Sequence, residues 1–355
     1  MAQQRQPAWF SGLALSSLLL ALPLGLANPV RAEQYTVGVL YWSENIPCQV
    51  EMRRGLEQTA ADIGETGPHQ YQLVPMLAGD GHDGIERQID QMRNLVSQNV
   101  DAIIVQPTDN AALSGPLLEA NKAGIPVIAY DQYISRGELV SYVTSDNYQA
   151  GYYNGEFIAD RFKTSTSAIR LVLVEYPHVS STVERLNGFL DALEDYQQAF
   201  TILKTYEAVE PESGREAGAA ILRDFPEPDS IDVVFTVNDG GGLSVVDALA
   251  TAGRNEIVVA TIDGDPASID NISEQRLTHI DTAQFCGPMG AMAMRMTSLH
   301  LAGNTVAKHI LLPVYPITRE TLAAYPGWAG PIPDTFTKPW FSHEPQWHHQ
   351  IKTVN

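Results

Sequence analysis

Short apolar runs alternate with amphipathic stretches along most of this chain. In the first half, the apolar runs cover residues 35–42, 71–77, 101–107 and 126–131, and helical periodicity lies between them near 50–64, 85–98 and 111–123. Parallel strands need a helical crossover between them, so this alternation predicts a parallel sheet flanked by helices. The pattern restarts after residue 147 and continues to residue 263, which predicts a second α/β unit.

The two units repeat the same order of features. Segments 101–131 and 232–263, whose first and last residues are 30 and 31 positions apart, each begin with Asp after a hydrophobic residue. Each continues through a strand, a helix that ends at Ala-Gly and a second strand that ends in Asp. Open α/β sheets bind ligands at the carboxyl ends of their strands. Asp131 and Asp263 are therefore predicted to lie at the mouths of two sheets.

The first 32 residues have the features of a cleavable signal peptide. Arg5 precedes an apolar run, and Val30 and Ala32 have the spacing that a signal peptidase accepts. Pro23 and Gly25 interrupt the run, which disfavours the alternative of a membrane anchor. We therefore predict export, with cleavage after Ala32.

The charge of the remaining chain limits its partners. It carries 20 basic and 42 acidic residues, a formal charge of −22, and the hydrophobic content of the whole sequence, 44%, is ordinary for a globular protein. Such an acidic surface repels phosphate backbones and anionic bilayers. Nucleic acid is therefore excluded as a partner.

Sequence motifs of catalysis and metal binding are absent. The Gly-x-Gly-x-x-Gly fingerprint is missing after the first strand, where YWSENIPC follows, and the chain has no Gly-x-x-x-x-Gly-Lys, Gly-x-Ser-x-Gly or His-Glu-x-x-His motif. The glycines at 240–242 are expected to form a flexible helix start, and DGHDG at 80–84 a capped helix start rather than a calcium loop. The histidines His343, His348 and His349 have no fixed ligand spacing. We expect no enzyme activity, no cofactor and no metal.

The chain resembles the periplasmic binding proteins of the ribose and galactose type over about residues 36–318. The segments that carry the resemblance are QPTDNAALSGPLLEANKAGIPVIAYDQYISRGELVSYVTSDNYQAG, ERLNGF, VFTVNDGGGLSVVDAL and VATIDGDPASIDNISEQRLTHIDTAQ. The resemblance implies two Rossmann-like lobes joined by three hinge crossovers. It implies lobe one at 34–145 plus 285–313 and lobe two at 146–284 plus 314–319, and we expect an irregular carboxyl-terminal tail at 320–355.

The resemblance also implies a set of ligand-binding residues. The positions that match polar groups bonded to sugar hydroxyls are Asp131, Arg185, Asn238, Asp263 and Gln284. Carboxylates accept hydrogen bonds, Arg donates a planar fork and amides do both, which suits a polyhydroxylated ligand. The alternative for each is a hydrogen bond within its own loop or hinge.

The chain departs from the ribose binders at several ligand positions. Cys48 and Gln49 stand in place of two phenylalanines, and Gln132 stands in place of an arginine. Because sugars bind partly through aromatic faces, another wall is needed. Trp42, Gln49 and Gln132 are therefore added to the candidate ligand-binding residues. The other rings that could form an aromatic wall are Tyr41, Tyr133, Tyr176, His178 and Phe285. The alternative for each ring is ordinary packing in the protein.

Cys48 and Cys286 are the only two cysteines of the chain. An even count in an exported protein permits a disulfide. The resemblance places both in lobe one, each at the start of a helix near the cleft rim. The alternative is two separate buried thiols.

Together these features favour a monomeric periplasmic protein that captures a small polar ligand and presents it to an ABC permease. The ligand classes considered are sugars, polyols and small signalling molecules. An alternative with the same fold is a receptor that signals to a membrane sensor kinase or chemoreceptor.

Overall fold

The computed structural model describes residues 33–334, 336, 338–340 and 351–354. The predicted signal peptide at 1–32 and the histidines His343, His348 and His349 lie outside these residues. Among the helices that the model describes, none is long and apolar enough to cross a membrane.

Strands and helices alternate along the described chain in the order that the apolar runs predict. The strands are β1 (Glu33–Tyr41), β2 (His69–Leu77), β3 (Ala102–Val105), β4 (Val127–Tyr130), β5 (Ser141–Ser145), β6 (Ile169–Glu175), β7 (Phe200–Glu207), β8 (Val233–Thr236), β9 (Val258–Asp263), β10 (Thr278–Ala283), β11 (His309–Leu312), β12 (Tyr315–Ile317) and β13 (Lys352–Val354). The α-helices are α1 (Pro47–Thr66), α2 (Gly81–Ser97), α3 (Ser114–Ala123), α4 (Asn147–Phe162), α5 (Ser180–Asp195), α6 (Pro211–Asp224), α7 (Asp239–Thr251), α8 (Pro266–Glu274) and α9 (Cys286–Leu301). A short 3-10 helix covers Leu322–Ala324.

The strands form two sheets, each parallel except for one edge strand. The first sheet has the order β13-β11-β5-β4-β3-β1-β2, and the second has the order β12-β10-β9-β8-β6-β7. The antiparallel strands are β13, which pairs with β11, and β12, which pairs with β10. We call the first sheet with α1–α3 and α9 lobe one, and the second sheet with α4–α8 lobe two. The predicted class, two Rossmann-like lobes with parallel sheets flanked by helices, is confirmed.

Each sheet is covered on both faces, which explains why its central strands are uniformly apolar. Every residue of β3 (AIIV) and of β8 (VVFT) is buried. Lobe one has one apolar cluster around Met52 and another around Leu117. Lobe two has clusters around Phe189 and Leu249. These four apolar clusters hold in place the strand ends that border the cleft between the lobes.

Helices α1 and α9 pack at unusually short range in lobe one. A Cβ atom on Gly290 would lie 1.8 Å from the carbonyl oxygen of Met52, and one on Gly55 would lie 2.1 Å from that of Gly287. Only glycine permits this approach. The contact brings the amino-terminal ends of the two helices together.

The chain passes between the lobes at three successive points. It leaves lobe one after β5, returns between β10 and α9, and leaves again between β11 and β12. At the third point, Pro313 and Val314 separate the two short strands β11 and β12, which belong to different sheets.

The described part of the carboxyl-terminal tail contains two regular elements that its sequence does not predict. Residues 352–354 return to lobe one as β13 and pair with β11, which adds a fourth passage to the three that we expected. The prediction of an irregular tail is wrong for these residues and for Leu322–Ala324. A strand of three residues shows no period in the sequence, and its place is fixed by the free edge of β11.

Candidate functional site

Two buried aspartates lie at strand ends that face the cleft. Asp131 follows β4 and is 4% exposed, and Asp263 ends β9 and is 3% exposed. Both have positive φ angles, 66° for Asp131 and 138° for Asp263. Such backbone conformations cost a non-glycine residue on the order of 1–3 kcal/mol and persist where the surroundings over-determine them. The strain marks both positions as candidates for a functional role.

Asp263 belongs to a buried ion pair. Arg185 Nη1 donates to Asp263 Oδ1 over 3.0 Å, and Gln284 Nε2 donates to the same oxygen over 2.7 Å. The guanidinium of Arg185 also donates to Asn147 Oδ1 and to the carbonyl oxygen of Val237, each over 2.9 Å. Arg185 comes from α5 and Gln284 follows β10, so several elements of lobe two and its hinge fix this carboxylate.

Asp131 has a different, neutral partner. Its Oδ2 accepts a hydrogen bond from Gln106 Nε2 over 2.9 Å. Its backbone carbonyl accepts from the hydroxyls of Thr144, over 2.9 Å, and Tyr142, over 3.1 Å. No cation pairs directly with this carboxylate among the described hydrogen bonds and ion pairs.

Burial governs the protonation of both carboxyl groups. It raises the pKa of Asp131 to about 6, against the opposing effects of the Arg185 charge and the hydrogen bond from Gln106. Burial also raises the pKa of Asp263, and Arg185 and Gln284 oppose this shift. The pair therefore supplies acceptors whose charge is costly to bury.

The remaining predicted polar residues are partly committed to the protein. Gln49 Oε1 accepts from the backbone N–H of Ser43 over 3.0 Å. Asn238 caps α7, since its Oδ1 accepts from Gly241 N over 3.2 Å, and its Nδ2 donates to the carbonyl of Val209 over 2.8 Å. Their amides keep unused hydrogen-bonding capacity beside these contacts.

Gln132 forms a contact between the lobes. Its Oε1 accepts from the backbone N–H of Ser181, at the start of α5, over 3.1 Å. A backbone bond from Asn110 to the carbonyl of His178, 3.1 Å, also joins the lobes. The lobes are therefore in direct contact around the two aspartates.

All eight predicted ligand-binding residues line one cavity between the lobes. They are Trp42, Gln49, Asp131, Gln132, Arg185, Asn238, Asp263 and Gln284. The volume of this cavity is about 20 Å³. Typical ligand pockets hold about 300–1,000 Å³, so the cavity is tightly closed.

Sequence reasoning missed part of the cavity lining. The additional residues are Ile46, Met52, Ser181, Thr182 and Val209. It also missed Gln106, whose side-chain amide donates the hydrogen bond to Asp131 Oδ2. Gln106 directly follows β3, so the strand-end rule that selected Asp131 applied to it as well.

The proposed aromatic wall is largely absent, since Trp42 is the one predicted ring that lines the cavity in the described structure. Tyr41 is buried in lobe one and donates to Glu57 over 3.1 Å, and Phe285 packs in a separate cluster with Tyr315. The other three rings, Tyr133, Tyr176 and His178, also lie outside the lining. Ring direction depends on tertiary packing, which strand-end position does not encode.

A disulfide between Cys48 and Cys286 forms part of the wall. The two Cα atoms are 5.6 Å apart, and Cys48 lines the cavity. The bridge joins the first turn of α1 to the first turn of α9 within lobe one. It therefore leaves the two lobes free to move relative to each other.

Other sequence features do not form sites in the described residues. No group of three or more His, Cys, Asp or Glu side chains there is arranged to hold a metal ion. Asp80 precedes α2 without a side-chain cap, contrary to the expected capped start. The glycines at 240–242 are buried in the first turn of α7, where a Cβ on Gly242 would lie 2.4 Å from Thr236 Oγ1, so close packing rather than flexibility requires them.

A larger cavity of about 550 Å³ lies between α1, α9 and residues 329–332. Its lining contains no carboxylate, and its Arg54 side chain is 58% exposed. The smaller interlobe cavity carries the buried, strained and converging polar groups. We therefore assign the candidate site to the cleft.

Comparisons with known proteins agree on one family. A sequence profile described as "Periplasmic binding protein domain" matches residues 37–305. The ribose import binding protein RbsB of Bacillus subtilis (strain 168) is 27% identical over 288 residues, which is 81% of this chain and 88% of that protein. The ribose import binding protein RbsB of Escherichia coli (strain K12) is 26% identical over 295 residues, 82% of this chain and 94% of that protein.

Solved structures show the same architecture. The Caulobacter myo-inositol binding protein bound to myo-inositol is 25% identical, with a TM-score of 0.71 over 82% of this chain and 95% of its own. A galactofuranose binding protein has a TM-score of 0.72 at 20% identity, over 82% of this chain and 96% of its own.

Proposed function

Because this chain belongs to the periplasmic binding protein family, we propose that it binds a neutral sugar or polyol between its lobes and delivers it to the permease of an ABC importer. The observation that carries the proposal is the convergence of Asp131 and Asp263, from opposite lobes, on one closed cavity. Proteins similar in sequence include two named for ribose import, and a similar solved structure contains myo-inositol.

The chemistry of the cleft favours a ligand with several hydroxyl groups. A hydroxyl donates one hydrogen bond and accepts others, so it fits both the carboxylates and the guanidinium of Arg185. Gln284 Oε1 is buried and has no hydrogen-bond partner in the described structure. A buried acceptor without a donor is costly, and a ligand hydroxyl supplies one.

The way in which the charged groups of the cavity lining are paired favours a neutral ligand. Arg185 already pairs with Asp263, and Asp131 is held by neutral Gln106. An anionic ligand would compete with two carboxylates for one guanidinium. A cation would have to pair with Asp131, whose charge is costly to bury, as its raised pKa shows.

Ligand entry requires the lobes to move apart, because the closed cavity is too small for a sugar ring. The interlobe bonds at Gln132 and Asn110 would break, and the three passages between the lobes would act as hinges. Closure over the ligand would then present one composite surface to the permease. We place the protein in the periplasm as a monomer, in line with the predicted signal peptide and with relatives named for import.

The proposal predicts that neutral polyols stabilise the mature chain, residues 33–355. Thermal unfolding would be followed with D-ribose, D-allose and myo-inositol. A ligand present at 100 times its dissociation constant adds about 2.7 kcal/mol to the free energy of unfolding. The proposal fails if no neutral sugar or polyol shifts the transition.

The variant Asp131→Asn is expected to abolish most of this stabilisation. Asparagine preserves the shape of the side chain and can still accept from Gln106, so the fold is retained while the charged acceptor is lost. Asp247→Asn is the matched control, because that side chain is 67% exposed on α7. Equal ligand stabilisation in both variants would contradict the assignment of Asp131.

A further inference from the structure

The tail beyond the matched residues 37–305 contributes a contact to the candidate site. The indole N–H of Trp328 donates to the backbone carbonyl oxygen of Asp263 over 2.7 Å. Trp328 does not line the cavity itself. Its partner, however, is the backbone of a proposed ligand-binding residue.

The backbone at Asp263 needs external support. Its φ angle of 138° is rare for a residue with a side chain, and Gly264 follows with φ at 81°. A Cβ atom on Gly264 would lie 2.4 Å from the Cβ of Ala283, so the chain there is pressed against β10. A non-glycine residue keeps such a conformation only when its neighbours hold it.

The peptide group between Asp263 and Gly264 is held from both sides. Its carbonyl oxygen accepts from Trp328 and from the backbone N–H of Gln284, the latter over 3.0 Å. Its N–H donates to Asp281 Oδ1 over 2.9 Å, inside lobe two. The next N–H, of Asp265, donates to Asp239 Oδ2 over 2.8 Å. Rotation of this peptide group would break these bonds and redirect the Asp263 side chain.

Trp328 also reaches the other lobe. Its backbone carbonyl accepts from the N–H of Gly287 over 3.3 Å, in the first turn of α9. The residue thus connects the β9 end in lobe two with a helix start in lobe one, beside the hinge at Gln284. It packs against the same apolar cluster that contains Cys48 and Cys286.

We infer that Trp328 is a positioning residue for ligand binding: its indole N–H fixes the Asp263–Gly264 peptide group, so that the Asp263 carboxylate faces the cleft. The inference rests on the proposed function, because it concerns the geometry of that same site. The tail, through Trp328, would then contribute to the geometry of the binding site.

The test compares Trp328→Phe with the matched control Trp340→Phe. Both changes remove an indole N–H from the tail and keep an aromatic ring. Trp340 donates to Glu156 over 3.3 Å, and that carboxylate keeps Tyr196, at 2.8 Å, as another donor. The control therefore removes an indole hydrogen bond that does not involve the Asp263–Gly264 peptide group.

Each variant is characterised by its sugar affinity and by its hydrogen exchange. Titration calorimetry with D-ribose, D-allose and myo-inositol is expected to give roughly 5- to 10-fold weaker binding for Trp328→Phe, the effect of one lost hydrogen bond. Hydrogen-exchange mass spectrometry without sugar is expected to show several-fold faster exchange in the peptide that spans 263–265. Trp340→Phe should match the wild type in both measurements.

The inference is overturned if Trp328→Phe matches Trp340→Phe in exchange at 263–265, or if exchange increases while sugar affinity is unchanged. If no sugar binds the wild type, the proposed function fails, whereas faster exchange in Trp328→Phe still supports the holding of this peptide group. Trp328→Tyr, which also lacks the indole N–H, replaces the phenylalanine variant if that variant does not fold.

Discussion

At the residue scale, the site depends on a carboxyl group whose ionisation is opposed by its surroundings. Asp131 is buried beside Gln106 and has no directly paired cation in the described structure. Burial raises its pKa to about 6 from an ordinary value near 3.8. The folded protein therefore binds this proton more tightly than the unfolded chain does.

This shift predicts a pH dependence of stability. The contribution of Asp131 is fully present below about pH 4 and is lost as the pH rises through about 6, with a total of roughly 3 kcal/mol. Urea unfolding between pH 4 and pH 8 should show the wild type losing stability relative to Asp131→Asn across this window. A constant difference between the two proteins would contradict the buried, raised pKa.

Site residues could be predicted from sequence where a strand end decided their place. Asp131 and Asp263 follow buried runs, and the topology of parallel sheets directs such positions to one edge. Ser181 and Thr182 escaped notice because the position of α5 across the cleft depends on how the lobes meet. The direction of Tyr41, into the core of lobe one, follows from packing around α1 and is equally hidden from the pattern.

At the element scale, α1 and α9 pack closely against each other in lobe one. Gly55 and Gly290 permit the helices to touch backbone to backbone, and the disulfide joins their first turns. Since Cys48 lines the cavity, the bridge supports the wall of the cavity on the side of lobe one.

Removing the bridge should lower stability markedly. The disulfide joins residues 238 positions apart, and closing so long a loop contributes up to about 5 kcal/mol in the chain-entropy model. The double variant Cys48→Ser, Cys286→Ser should unfold at lower denaturant concentration than the oxidised wild type. A reducing agent should destabilise the wild type and leave the double variant unchanged. If reduction of the bridge leaves the wild type equally stable, this expectation is wrong.

At the scale of the whole molecule, the described residues of the tail contact both lobes. Lys338 pairs with buried Glu156 of α4 over 2.5 Å, and Lys352 pairs with Asp146 over 2.6 Å. With β13 added to the first sheet, the tail contacts both lobes. The repeat of two α/β units made the lobes predictable, whereas the tail contacts depend on edges that exist only after both sheets have formed.

Closure predicts a change in dimensions on binding. Small-angle scattering of the mature chain should give a radius of gyration that falls towards about 20 Å, the value for a compact chain of this length, when a confirmed ligand is added. A radius that does not change on saturation would contradict hinge closure.

The disulfide and the last strand together impose an order on biosynthesis. Lobe one takes strands from the beginning and from the end of the described chain, β1 and β13, whereas β6 to β10 of lobe two are continuous. As the chain is made from its amino terminus, Cys48 must wait as a free thiol for Cys286, with the five strands β6 to β10 of lobe two made in between. The lobe that starts first is thus completed last, and an oxidant of the exported compartment can join Cys48 to Cys286 only after its two halves have met.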